Sequence, residues 1–288
     1  MSLCKNIRDL WAASVKQRKR RMSRLGYRQL GALVGELLED RRVLAGNMTA
    51  VYDAGNKLLT VTGDASGNQV LTKFESASAT APMIYGLNGT TINGSPSLDV
   101  GVLTGGGEVT SVFVNAGEGD DEVTFDTAAS PIQLPTTTIN GGAGNDSVFV
   151  GTSGGNAVRF ELLTINGEAG NDTIEFLTSL TLGVNCQLDG GTDNDNYVFD
   201  TDQPLGTINL SETLGGVDTV DFSLTNSQAI NLDLLAAVNI VNPHLQLNLA
   251  GGSRFENIVG GNLNDTLRGD GFANELMGNG GNDTLDGR

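Results

Sequence analysis

Five aspartates recur at near-constant intervals, each closing a run of small or polar residues: Asp121 in AGEGDDEVTF, Asp146 in GGAGNDSVFV, Asp172 in GEAGNDTIEF, Asp195 in GGTDNDNYVF and Asp218 in TLGGVDTVDF. The intervals are 25, 26, 23 and 23 residues. Each Asp supplies charge and two oxygens, and neighbouring glycines can aim backbone carbonyls at a common centre without a Cβ in the way. Such an oxygen-only donor set suits a hard divalent cation such as calcium, which takes roughly six to eight oxygens at about 2.3 to 2.6 Å. The same residues could instead cap their own turns through local backbone N–H groups, as Asx turns do. Spacing alone leaves both readings open.

The flanking residues indicate what positions these turns. Two and four places after each Asp stand Val123 and Phe125, Val148 and Val150, Ile174 and Phe176, Tyr197 and Phe199, and Val220 and Phe222. Seven places before stand Val114, Ile139, Ile165 and Leu188, with Ser211 the exception. A period of two is one face of a strand, so each unit reads strand, tight turn, strand. One unit cannot bury that face; stacked units can, by laying Phe on Phe and Val on Val. β-branched residues dominate these runs and helical patterns are absent after Ala50, which favours a right-handed parallel β-helix or β-roll solenoid over a sandwich. Phe125, Phe176 and Phe199 then form an aromatic ladder. GDASGNQVL around Asn68 reads as a decayed copy, and Asp265, 47 residues past Asp218, reads as the next turn after one coil has lost its own.

Composition sets further limits. Forty glycines in 288 residues is about twice average usage, so the chain turns often. Residues 1–46 carry 11 Lys and Arg against 4 Asp and Glu, whereas the remaining 242 carry 6 against 30. A body this acidic repels DNA and RNA phosphates, which excludes a nucleic-acid partner and favours divalent cations. His244 is the only histidine, which removes His-rich zinc sites and the HExxH motif; following Pro243, it reads as an exposed loop residue. Cys4 and Cys186 fall on opposite sides of the charge break, so the body has no internal disulfide. No apolar run is long enough for a transmembrane segment.

From Gly260 the period contracts. GGNLNDTLR, GDGFANELM and GNGGNDTLD follow at nine residues each, with Asp265, Asn274 and Asp283 in register and Leu267, Leu276 and Leu285 two places later. This tract resembles the RTX, or hemolysin-type calcium-binding, nonapeptide repeat family. The resemblance implies a parallel β-roll with two nonapeptides per coil, turns one and three on one edge and turn two on the other. It implies calcium between turns on one edge, held by Asp265 and Asp283 with carbonyls of Gly260, Gly261, Gly278 and Gly280. Asn274 puts the opposite edge in doubt. The tract reaches Arg288 without a capping element, which predicts either a longer polypeptide or a partner at that end.

The leader combines a basic run with LLEDRRVLAG, which resembles the LExLEDRxLLA-type leader of secreted and surface proteins of planctomycete bacteria. The sequence thus divides into a basic leader, 1–46, degenerate coils of about 23–26 residues over 47–250, and tandem nonapeptides over 251–288. The expected function is a secreted calcium-binding structural or adhesive module, extracellular or at the cell surface, stabilised by Ca2+ and contacting surface or matrix components. It is not expected to be an enzyme. The alternative is a calcium-dependent β-helix polysaccharide lyase, which needs a Lys or Arg near acidic ligands; the body offers Lys57, Lys73, Arg159, Arg254, Arg268 and Arg288, with Arg159 nearest the acidic turns.

Overall fold

The computed structural model of the chain describes residues 46–74, 81–127, 132–134, 136–151, 157–180, 185–212 and 215–288. The expectation of a helical or disordered leader over residues 1–45 lies outside the described residues.

The described chain is mostly β, with two ten-stranded sheets built largely from parallel strands. Leu58–Thr62, Ser111–Glu118, Thr136–Ala143, Leu162–Ala169, Asn185–Thr192, Gly206–Ser211 and Leu245–Leu249 pair in parallel through the first sheet. Gln69–Phe74, Glu122–Thr127, Ser147–Val150, Thr173–Phe176, Asn196–Phe199, Thr219–Asp221, Asn257–Val259 and Glu275–Met277 do so through the second. Each coil therefore contributes one strand to each sheet, with the Asp turn between them. Stacked parallel sheets of this kind are the architecture of a β-helix or β-roll solenoid.

Alternation drives the stacking. Along Thr136–Ala143 and Leu162–Ala169, every second residue points into the core until the turn approaches. Val61, Val114, Ile139, Ile165, Leu188, Leu210 and Leu249 pair in register down the first sheet, and all are buried. The Ser211 exception is thereby resolved: this coil holds one more residue between strand and Asp, so Leu210 takes the apolar position and Ser211 pairs with Asp189. In the second sheet the row is Val70, Val123, Val148, Ile174, Tyr197, Val220, Ile258 and Leu276.

The aromatic ladder is real but interrupted. Phe125, Phe176 and Phe199 are all buried, and Phe176 stacks on Phe199 at 5.7 Å between ring centroids. Phe222 continues from Phe199 at 5.8 Å. Val150, however, stands between Phe125 and Phe176 in the register, so Phe125 meets Phe160 edge-on at 6.0 Å instead.

Two coils depart from the expected period. Asn68 lies directly above Asp121, 53 residues on, and the intervening chain makes extra strands and a four-residue helix, Val100–Leu103, capped by Asp99. That helix corrects the expectation of none: Asp99 Oδ1 accepts the Gly101 N–H at 2.8 Å, a local cap that no long apolar period announces. At the other end, the residue beneath Asp218 is Glu256, 38 residues later, and not Asp265. The spacing of 47 between Asp218 and Asp265 was twice a coil by coincidence. Asp265 instead belongs to a third wall of three strands, Asn231–Asp233, Thr266–Arg268 and Thr284–Asp286, in which Leu232, Leu267 and Leu285 pair.

Candidate metal centre

The Asp turns form one continuous column. Each carboxylate accepts the backbone N–H of the equivalent residue one coil earlier: Asn68 to Asp121 at 2.5 Å, Asp121 to Asp146 at 2.8 Å, Asp146 to Asp172 at 2.7 Å, Asp172 to Asp195 at 2.8 Å and Asp195 to Asp218 at 2.8 Å. Glu256 closes the series by accepting the Asp218 N–H at 2.9 Å. The turn-capping reading is thus correct in kind but not in range, because the N–H capped belongs to the neighbouring coil. Beside this column a second, exposed one runs from Asp120 through Asn145, Asn171 and Asn194, each bonding the next.

These bonds occupy only one oxygen of each carboxylate. Oδ2 of Asp121, Asp146, Asp172 and Asp195 is buried and has no hydrogen-bond partner. A buried unpaired carboxylate oxygen is costly, and a cation is one means of offsetting that cost. The surroundings are oxygen-rich: a Cβ placed on Gly141 would come within 3.0 Å of both Asp146 Oδ2 and the Gly167 carbonyl, and one on Gly167 would meet Asp172 Oδ2 and the Gly190 carbonyl. The glycine five residues before the Asp is therefore required because the carboxylate fills its side-chain space. This donor set, carboxylate with carbonyl and no nitrogen or sulfur, fits calcium.

The electrostatics agree with that fit. Burial pushes the carboxyls of Asp121, Asp172 and Asp218 up to about 7, and those of Asp146 and Asp195 up to about 6, against the lowering effect of the N–H bonds. Neighbouring carboxylates raise them further, Asp146 acting on Asp121 and Asp195 on Asp172. Without a counter-ion the column resists ionisation.

The nonapeptide tract builds a related turn on the third wall, with both oxygens of Asp265 hydrogen-bonded. Asp265 Oδ1 accepts the Ile230 N–H at 2.7 Å, Asp265 Oδ2 accepts the Gly261 N–H at 2.7 Å, and Asp283 Oδ1 accepts the Asp265 N–H at 2.9 Å. Asp265 and Asp283 are thus brought together one coil of 18 residues apart. A Cβ on Gly260 or Gly278 would strike the carboxylate of Asp265 or Asp283, the relation seen at Gly141 and Gly167. Asn274 lies on the other edge, where the strand after it pairs with Asn257–Val259 below the main column. Its Oδ1 accepts the Asp270 N–H at 2.9 Å. Of the glycine carbonyls, that of Gly261 accepts the Gly280 N–H at 3.2 Å and that of Gly260 the Asn279 side-chain amide at 2.8 Å.

Other residues fall differently. His244 is half-buried, its Nδ1 at 2.8 Å from the Thr201 carbonyl, because the antiparallel strand Val238–Asn242 folds that loop back on the body. Glu256 joins the carboxylate column and Glu212 lies beside it, bonded to the Tyr197 hydroxyl, although neither glutamate sits in an Asp turn of the repeat. The deviation of Glu212 from glycine in an aligned coil is the one signal that could have found it. Among the described residues, no helix is long and apolar enough to cross a membrane.

Four copies of the RTX calcium-binding nonapeptide repeat match the chain, over residues 138–153, 164–176 and 259–288. Two matches fall on the coils of Asp146 and Asp172, so those two long coils carry the same repeat as the C-terminal tract. No curated protein and no solved structure matches the chain.

Proposed function

We propose that this chain is a secreted structural or adhesive module whose fold is held by calcium, rather than an enzyme. The observation that carries the reading is the row of buried, unpartnered carboxylate oxygens, two of which, on Asp146 and Asp172, lie in matched RTX calcium-binding repeats. Asp121, Asp146, Asp172, Asp195 and Asp218 hold ions on one edge; Asp265 and Asp283, with carbonyls of Gly260, Gly261, Gly278 and Gly280, hold them on the other. The ions are structural. They neutralise carboxylates that the solenoid must stack, and they bind only the folded chain, so they stabilise it by mass action.

Export follows from the repeat type and from the leader's resemblance, because extracellular calcium is at millimolar levels and suits weak, multiple sites. The non-enzymatic reading draws support from the cations. Lys57 pairs with Glu108, Lys73 with Asp126, Arg254 with Glu256 and Arg288 with Asp233, each within 4.0 Å, while Arg268 is in no salt bridge among the described residues and donates to Asn231 Oδ1 at 3.5 Å. A lyase needs a Lys or Arg that can take up a proton beside bound substrate, which an ion pair opposes; the side chain of Arg159 lies outside the described residues. Circular dichroism and calorimetric titration with calcium test the reading. Identical spectra in EDTA and in millimolar calcium, without heat of binding, would remove it; unsaturated products from pectin or alginate would replace it with the lyase.

A further inference from the structure

Where the repeat pattern fails, between the coils of Asp195 and Asp218, two departures from it meet. Tyr197 stands in the row that elsewhere holds Val123, Val148, Ile174 and Val220. Glu212 follows Ser211, which pairs with Asp189, so it takes the place that the previous coil gives to Gly190. Each departure answers the other. The Tyr197 hydroxyl donates to Glu212 Oε2 and accepts the Gly190 N–H, and Glu212 Oε1 accepts the Gly191 N–H at 3.3 Å.

Resting on the calcium reading of the column, we propose that between Asp195 and Asp218 the ion gains a third carboxylate, Glu212, a ligand the repeat does not provide, at a point outside the matched repeats. One oxygen from each carboxylate lies within 4.8 Å of the other two, and all three residues are buried. Oxygens so spaced can share one ion at about 2.3 to 2.6 Å. A second observation points independently to a ligand. Asp195 is only 3% exposed, its Oδ2 has no partner, and that oxygen lies against Gly190, the residue whose N–H the Tyr197 hydroxyl caps. It therefore lies beside the Gly190–Gly191 backbone, whose N–H groups Tyr197 and Glu212 cap. Among the described residues, none of the three carboxylates is in a salt bridge. Three carboxylates without a cation are not a stable buried group, whereas a divalent ion leaves one net negative charge. The ligands are all oxygen, which selects a hard cation, and the irregular coil geometry favours calcium over the octahedral demands of magnesium.

The site gives a signal of its own. A tyrosine in contact with a ligand carboxylate can pass excitation to terbium bound in calcium's place. The full chain is titrated with terbium while tyrosine is excited, and the emission lost in Tyr197→Phe is taken as the site's signal. That Tyr197-dependent emission should be present in the wild type, fall about tenfold in Glu212→Gln, and persist in Asp283→Asn, which removes charge only from the nonapeptide edge. Absence of Tyr197-dependent emission from the wild type, or its full persistence in Glu212→Gln, overturns the proposal and leaves a cluster that shares protons only. If Glu212→Gln does not fold, anomalous diffraction from wild-type crystals grown with terbium decides. A peak among the three carboxylates supports the site, and ordered carboxylates without one overturn it. Failure of calcium at the repeats would appear separately, as unchanged ion counts in Asp283→Asn and Asp146→Asn.

Discussion

The long coils and the nonapeptide tract use one turn but surround it differently. In both, a glycine five residues before an Asp leaves room for the carboxylate, and the carboxylate caps an N–H one coil away. The long coils place this turn over a core deep enough for phenylalanine, with Phe176, Phe199 and Phe222 stacked and fully buried. The tract has coils of 18 residues and one leucine per turn; Leu267 is buried, but Leu285 is 47% exposed and Met277 likewise 47%. Apolar burial contributes roughly 25 cal/mol per Å2, so the two regions differ in what holds them when the ion leaves. The long coils retain a core; the tract retains little but its turns.

The largest test of that contrast is a pair of truncations. Phe176→Ala removes a buried ring from the stack and should cost on the order of 3 to 5 kcal/mol, lowering the melting temperature by roughly 10 °C. Leu285→Ala should cost under about 1 kcal/mol, because nearly half of that side chain is already in water. Thermal melts of both in calcium check this. Equal losses would mean that the tract is packed as well as the body.

Removing calcium should then divide the molecule. An ion that binds only the folded form contributes about 2.7 kcal/mol at 100 times Kd. In the tract this is comparable to the roughly 1.5 to 3 kcal/mol that burial of Leu267 supplies, whereas in the body it comes on top of a whole aromatic core. Hydrogen exchange in EDTA should show Thr266–Arg268 and Thr284–Asp286 losing protection while Thr136–Ala143 and Leu162–Ala169 keep it. Uniform loss along the chain would show that the body too depends on the ion.

Much of this contrast was legible in the sequence. The constant interval fixed the coils because Val, Ile and Phe repeat at the same offsets from each Asp, and stacking demands that register. What escaped were the places where the register is kept by chain of variable length. The coil from Asp218 to Glu256 inserts the strands Asn231–Asp233 and Val238–Asn242, and its length disguised Asp265 as the next rung. Leu210 was hidden for a related reason: one added turn residue moved it out of the expected position while leaving it in the same row. Glu212 carried only a faint signal, its departure from glycine in the aligned coil, and that departure gains meaning only when Tyr197 is seen beside it. Asp265 and Asp283 were placed on one edge by the resemblance to the nonapeptide family, and the Asp265 N–H does bond Asp283.

Acidity should sharpen the same division in metal-stripped protein. The folded-state pKa values of Asp121, Asp172 and Asp218 are raised to about 7, chiefly by burial, above the unfolded value near 3.8. The folded chain therefore binds more protons than the unfolded chain between those limits. Stability is fullest below the unfolded value and is lost as pH rises through about 7. The stripped body should melt at a lower temperature at pH 8 than at pH 5, and calcium, by stabilising the charged carboxylates, should remove most of that difference. A stripped protein that gains stability towards pH 8 would contradict the burial of these groups.

The smallest effect expected is the most specific to the tract. Asp283 and Asn274 occupy the same position in successive nonapeptides, but on opposite edges. Asp283 Oδ1 accepts the Asp265 N–H at 2.9 Å, so its replacement removes both a charge and a bond between coils. Asn274 Oδ1 accepts the N–H of Asp270, four residues away, and its amide donates to the Phe255 carbonyl at 3.4 Å, but it adds no charge. Losing a neutral bond costs about 0.5 to 1.5 kcal/mol, and nothing in that loss bears on an ion. Asn274→Ala should therefore lower the melting temperature slightly, by a similar amount with and without calcium. Asp283→Ala should weaken calcium binding in calorimetry and narrow the difference between the calcium and EDTA melts. Equal loss of calcium affinity in the two variants would mean that the ions do not sit between Asp265 and Asp283, and that the edge with the unbroken Asp pair holds no advantage over the edge without it.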